Sequence, residues 1–295
     1  MEYIVDNLLY IEEMPEKLVS AISTMYSNVQ LSKLNLTPEE IASISPNFEF
    51  ELKQTEEKEV EGNPFVMMLL SLVLFFAIYF YAYQVSSSIT TEKTSKIIET
   101  LVTSTKPSTI VIGKTLGIGI VGLIQIVIMI ILALICNSVF LEEGMLSGII
   151  SLENMTPFLL VIALIYFILG YFTYALFYAL TGSTVSKPED IQSANGPVAM
   201  LAMIGFYLAY FTMMDPSSKL NAFAAIFPLS SPFCMPLRVM MGLTSAWDVI
   251  LSIGVLLLTI IVVARVSIKI YSNAILNYGK SGFKDILRMY KDKNN

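Results

Sequence analysis

Five stretches of this chain are long enough and apolar enough to cross a bilayer, and that pattern excludes most folds before any motif is considered. Residues 64–85 are 22 positions without a charge, which at helical rise cover ~33 Å, about the thickness of a hydrocarbon core. Residues 115–140 and 157–182 are longer still, 197–214 are shorter, and 249–264 form the shortest, extended by Arg265 and Lys269, whose stems reach an interface. The composition agrees: 55% of the 295 residues are hydrophobic and 14% are charged, a balance that takes lipid as its solvent. The expected class is an all-α polytopic membrane protein with five spans.

Charge sets the expected orientation. Twelve of the 18 basic residues fall in the 86–114 loop, at Lys187 and in the tail from Arg265 onward, whereas Lys219 and Arg238 occupy the opposite loops. The positive-inside rule places the twelve in the cytoplasm, with the C-terminus inside and the N-terminus outside. Residues 1–63 carry 13 acidic residues against 4 lysines, with helix-like spacing at Leu18, Ile22 and Met25 and turn signals at Asn35 and Pro46, and read as a partial extracellular domain. The opening MEYIVDNLLYIEEM has no basic run leading into an apolar core. An outer segment of this size normally follows a span that delivers it, so the expectation is that the chain lacks a first helix its relatives possess.

The absence of histidine removes the zinc-protease motif, the Ser-His-Asp triad and imidazole proton shuttling. No carboxylate lies in mid-membrane; the polar inventory of the spans is Gln84, Gln125, Asn137, Thr173, Thr181 and Thr212. An intramembrane enzyme is therefore disfavoured, and any cargo is expected to be amphipathic or hydrophobic, with sodium left open. Cys136 and Cys234 read as two buried small hydrophobes, with a bridge between them open because both fall toward the outer face. Tyr79, Tyr81 and Tyr83 read as an interfacial belt.

Two patterns imitate nucleotide sites. GIGIVG at 117–122 fits GxGxxG but opens an apolar helix rather than following a strand. Gly113-Lys114-Thr115 ends like a phosphate-binding loop, yet the glycine required five residues earlier is Ser108. Gly113 and Gly117 instead form a small-xxx-small pair expected to pack helices closely.

The informative loop is 86–117. Residues 91–103 predict a short amphipathic helix, with Ile97, Ile98, Leu101 and Val102 as its apolar stripe, a Glu92–Lys96 pair at i,i+4, and Pro107 as its stop. In the last outer loop, Asp215, Pro216, Pro228, Pro232 and Pro236 punctuate an apolar run, which predicts short helices dipping into the outer leaflet over 222–241. Arg238 either anchors at the phosphate level or pairs with Asp248. The tail, with Phe283, Ile286, Leu287 and Tyr290 among Lys284, Arg288 and Lys291, predicts an amphipathic surface helix over 272–295.

These segments resemble the type-2 ABC transporter permeases, in particular the NatB-like exporter branch. Glu92, Lys93, Glu99, Leu101, Thr103, Ser104, Pro107, Gly113, Lys114 and Gly117 match that family's pattern, with Thr100 as a departure, and FPLSSPFCMPLR at 227–238 is similar to its outer segment. The resemblance implies a six-helix transmembrane domain, of which this chain carries the later part of the outer domain and helices two to six. It implies ATPase coupling through Glu92, Lys93, Lys96, Glu99 and Leu101, and an outer gate at Pro228, Pro232, Pro236 and Arg238. It also implies a homodimer or pseudo-dimer working with a separate ABC ATPase that binds ATP and magnesium. No metal, cofactor or nucleic acid is expected on this chain itself. The rival expectation is a non-transporting sensor or immunity protein that binds a peptide at its outer face.

Overall fold

The computed structural model describes residues 2–5, 20–26, 29, 51–54, 63–140, 156–216 and 218–277. The chain divides into two units, Met1–Val60 and Glu61–Asn295. In the first, β1 (Glu2–Val5) pairs in parallel with β2 (Glu51–Gln54), Glu2 opposite Glu51, and residues 20–26 are helical. The short ribbon lies within the N-terminal unit, and the membrane-spanning part is all-α as the sequence predicts. The spacing at Leu18, Ile22 and Met25 falls partly on that helical segment, whereas the turn signals and the tail helix lie outside the described residues.

The second unit is all-α. It runs α1 (Pro64–Thr94), α2 (Ile97–Ser104), α3 (Pro107–Phe140), α4 (Pro157–Thr184), a 3-10 turn (Pro188–Asp190), α5 (Ile191–Met214), α6 (Lys219–Ile226), α7 (Ser231–Met240) and α8 (Ala246–Ala274). Five of these helices are long and apolar enough to cross a membrane, as the sequence predicts.

Their starts are chemically specified. Asn63 caps α1, its side chain accepting from the Phe65 and Val66 amides, and Pro64 fills the first position. Thr156 and Pro157 repeat the device at α4, and Ser245 with Asp248 closes a capping box at α8. The spans run longer than the charge-free stretches predict. Helix α1 passes Val85 and continues to Thr94, and α8 extends past Ala264 to Ala274. Helix α5 starts six residues before Pro197, which lies inside it. A proline read as a helix start is here an interior one, tolerated because neighbouring helices support the backbone around it.

Helix α4 is the staff around which the others pack: 61% of its most apolar window is buried, against 17% for α3 and for α8, so the latter two present most of their surface to lipid. Hydroxyls donating to carbonyls of neighbouring helices join the spans, the favoured polar contact where no water competes. Tyr171 donates to Thr115 at 2.6 Å and Ser267 to Leu176 at 2.9 Å.

Gly113 and Gly117, expected to pack helices, face no atom within 4 Å of an added Cβ. Close packing falls instead at Gly119 and Gly122, where an added Cβ would meet Tyr171 at 2.6 Å and Tyr81 at 2.8 Å. These two glycines are three apart rather than four, at positions set by the tyrosines that the neighbouring helices present. The tyrosine belt is also corrected. Residues two apart on a helix point to different faces, so Tyr81 turns to α3 and donates to Gln125, whereas Tyr79 and Tyr83 stack on each other and against the edge of Tyr178.

Candidate functional site

Two places carry the residues singled out in the sequence: the elbow where α1 gives way to α2, and the bent α6–α7 pair.

At the elbow, residues 91–103 are not one rod. The first part continues α1, and the helix stops at Ser95. Three hydroxyls bond back at this end: Thr91 donates to the Ser87 carbonyl at 2.9 Å, Thr94 to Thr90 at 2.9 Å and Ser95 to Thr91 at 2.7 Å. Such back-bonding competes with the helical ladder. Lys96 then takes φ 60°, a left-handed conformation and the one positive φ among described non-glycine residues. Helix α2 restarts at Ile97, with Ile98 fully buried and Ile97 53% exposed, so only part of the predicted apolar stripe is covered.

The break also dissolves the expected Glu92–Lys96 pair, because Lys96 has left the helix that would bring it over Glu92. Glu92 pairs instead with Lys114 of α3, and Lys114 also donates to Ser88 at 2.8 Å. The other Glu92 oxygen and the Tyr271 hydroxyl are buried without a hydrogen-bond partner, and Tyr271 lies close enough to feel the Glu92 charge. The brace between α1 and α3 thus has a second polar group of α8 within its field.

Lys93 is the residue whose role the structure changes most. It is fully buried, and its Nζ donates to the Ser183 carbonyl at 2.5 Å and to the Ala274 carbonyl at 2.8 Å. These carbonyls belong to the last turn of α4 and the last residue of α8, where the final carbonyls lack helical partners and the dipoles are negative. A single ammonium therefore ties α1, α4 and α8 together. The sequence reading named Lys93 for ATPase coupling and did not foresee its burial. The signal for burial was present: Ile78, Ala82, Val85 and Ile89 form the buried face of α1, and Lys93 is the next position on it.

Above Lys93 the contact between α1 and α4 is backbone-close. An added Cβ at Gly182 would stand 2.8 Å from the Ser86 Cα, and Thr90 donates to the Gly182 carbonyl at 3.3 Å. Asn195 of α5 joins the same seam, its Oδ1 accepting from Ser86 at 3.0 Å and Thr181 at 2.6 Å. Reading Pro197 as a helix start hid Asn195 from the sequence analysis.

The remaining coupling candidates, Glu99 and Leu101, lie on α2, Glu99 exposed and Leu101 half-buried. Two residues, Ser95 and Lys96, join α2 to α1, and two, Thr105 and Lys106, join it to α3. A displacement of α2 is therefore delivered to both spans.

At the other place, α6 and α7 are bent by 120° at a short break, the geometry of a broken span or re-entrant loop. Pro228 lies in the break, Pro232 in the first turn of α7 and Pro236 inside it. Residues 230–237 are all buried, so the first turns of α7 are enclosed by protein, whereas the break is partly covered, with Pro228 and Leu229 half-buried and Phe227 exposed. Its tip is held by the Leu229 carbonyl, which accepts from Tyr174 at 2.7 Å and would stand 2.8 Å from a Cβ at Gly205. Gly205 is nine residues before the end of α5, about 14 Å along the helix, so the turn dips well into the bundle. Pro232 closes on Gly170, 2.7 Å from an added Cβ. Arg238 donates to the Pro216 carbonyl at 2.7 Å and to Leu243 at 3.5 Å, clamping the two ends of the pair, while Asp248 serves the Ser245 capping box. Cys234 is a free buried thiol and so forms no bridge; the Cys136 side chain lies outside the described residues.

Five apolar spans with a bent pair between the fourth and fifth define a multi-pass membrane protein. The chain belongs to the ABC-2 family of transporter proteins, whose model matches residues 7–269. It is similar to the uncharacterized protein YhaP of Bacillus subtilis (strain 168), with 32% identity over 243 residues, 80% of this chain and 58% of that protein. It is also similar to the uncharacterized protein MJ1024 of Methanocaldococcus jannaschii, with 27% identity over 232 residues, 77% of this chain and 55% of that protein. The chain thus spans somewhat more than half the length of these relatives. No solved structure matches it.

Proposed function

We propose that this chain is the permease subunit of an ABC exporter of the NatB-like branch, moving cargo outward by alternating access. ATP and magnesium are handled on a separate ATPase subunit, and two permease chains form a homodimer or pseudo-dimer. The elbow lies in the cytoplasm and the N-terminal unit outside, the orientation supported by the distribution of lysine and arginine.

The observation that carries this reading is the Lys93 clamp. Helix α2 offers exposed Glu99, Thr100 and Thr103 to a partner and is joined by short links to α1 and α3. Lys93 carries the motion of α1 on to α4 and α8. A push on one short helix thereby reaches four of the five spans, and a lever of that reach is what a protein driven by another subunit's ATPase needs.

The test separates docking from transmission. Glu99→Lys is expected to weaken co-purification of a Walker-motif ATPase. Glu92→Lys is expected to leave docking intact and to uncouple hydrolysis from export, and the charge swap Glu92→Lys with Lys114→Glu should restore much of the coupling. Full coupling in Glu92→Lys, or failure of any ATPase to co-purify with the wild-type chain, defeats the reading.

A further inference from the structure

Between α1 and α5 lies a cavity of about 510 Å³ lined by Tyr79, Tyr83, Gln192, Asn195, Gly196 and Ala199, a volume within the range of small-molecule sites. We propose that it binds an uncharged amphiphile whose head group is an ester or amide carbonyl. The site stands independently of the coupling reading, since it needs neither nucleotide nor a second subunit.

Asn195 supplies the recognition. It is 3% exposed, and its Oδ1 is held by the hydroxyls of Ser86 and Thr181. That pinning fixes the amide plane, and Nδ2 is buried with no hydrogen-bond partner. A buried N–H donor without an acceptor is destabilising and rare in native folds. Because Asn195 lines the cavity, an acceptor that reaches Nδ2 from there satisfies the donor.

The rest of the lining selects the chemistry. None of the six residues is an acid or a base, so a charged head would be desolvated without a counter-charge. Tyr79 and Tyr83 are stacked with centroids 6.4 Å apart and planes at 17°. The Tyr178 ring stands edge-on behind them at 6.2 and 6.0 Å, which makes a rigid wall for an apolar body. The wall continues along α1, Tyr79 stacking on Phe75 at 5.8 Å and Phe75 meeting Phe233 of the bent pair at 6.0 Å. Tyr79 also borders a second cavity of about 690 Å³, lined largely by apolar side chains such as Phe76, Phe80 and Ile126, where a hydrocarbon tail is accommodated. At Gly196 an added Cβ would meet nothing within 4 Å, so space is left next to the amide.

The test uses the full chain in phosphatidylcholine nanodiscs without nucleotide. Three diazirine probes are compared: a diacylglycerol, N-dodecanoyl glycinamide, and a hexadecane lacking any carbonyl. At least one carbonyl probe should label Tyr79, Tyr83 or Gln192 about ten-fold over Leu258, a lipid-exposed residue of α8. Gly196→Leu, which fills the cavity without meeting a neighbour, should lower that labelling about ten-fold while the melting temperature holds. Asn195→Asp keeps the oxygen that accepts from Ser86 and Thr181 but removes the donor, and should lower it about five-fold or more. Labelling by the diacylglycerol alone identifies a membrane lipid, and labelling by the glycinamide alone a free amphiphile; either supports the site. Equal labelling by hexadecane, labelling unchanged in Gly196→Leu, or a Gly196→Cys chain that cross-links to a second copy in place of probe labelling each overturns it.

Discussion

The elbow and the bent pair are both breaks in helix, yet they are held by different forces. At the elbow, charge does the holding: the Lys93 ammonium against two helix C-termini, and the Glu92–Lys114 brace. At the bent pair, the tip is fixed by neutral contacts, Tyr174 on the Leu229 carbonyl, Ser230 on Ala224 and Ser252 on Ala225, and by glycines that let backbones touch. Attraction between charges falls as the inverse of distance, whereas packing contacts are forfeited within about an ångström. The elbow can therefore shift and remain attached, while the bent pair is either seated or released. That is the division of labour expected between a transmission element and a gate.

The largest effect is expected from breaking the charged side. Lys93→Met keeps the length of the stem but leaves the Ser183 carbonyl without this donor and the Ala274 carbonyl with the Asn277 amide alone, with a loss of about 3 kcal/mol for two charge-assisted bonds. The melting temperature of the purified chain in detergent should fall by several degrees. An unchanged melting temperature would mean that the clamp is dispensable and that the two regions do not differ as argued.

The neutral side is broken by bulk. In Gly205→Leu the new Cβ would lie 2.8 Å from the Leu229 carbonyl and 3.0 Å from the Phe233 ring, an overpacking that costs about 2 kcal/mol. If the tip is seated or released, it should leave as a unit and expose Cys234, a free thiol buried beside Gly205. In a Cys136→Ser background, Cys234 should change from inert to readily alkylated by a maleimide. A gradual, partial gain in reactivity would argue instead for a tip that deforms continuously.

Much of this architecture was legible in the sequence, because a hydrocarbon solvent leaves helices as the only economical way to satisfy the backbone of an apolar stretch. The five spans and the proline-marked dip could be read for that reason. The limits of the helices could not: α1 ends among hydroxyls that bond back to its own carbonyls, yet Thr115, Thr173 and Thr259 make the same bond inside helices that continue. The burial of Lys93 was not foreseen because a charge counts toward the surface in any composition argument, and only the contacts show two helix ends converging on it. Gly119 and Gly122 were passed over for Gly113 and Gly117 because spacing reveals a small-residue face but not which tyrosine occupies it. Asn195 was missed because a proline two residues later reads as a beginning.

The smallest effect sharpens the comparison at its most local point. Lys96 holds a left-handed φ of 60°, a conformation that costs a side chain about 1 kcal/mol and a glycine almost nothing. Lys96→Gly should therefore leave the melting temperature unchanged or slightly raised, although it removes a charged residue from the elbow. The same change frees the joint, because a glycine at that position accepts many angles between α1 and α2 where lysine accepts few. Amide hydrogen exchange over Ile97–Ser104 should accelerate several-fold even as global stability is kept. If exchange across α2 slows or stays the same, the strained lysine is not what sets the angle of the lever, and the stiffness of the elbow must come from the burial of Ile98 alone.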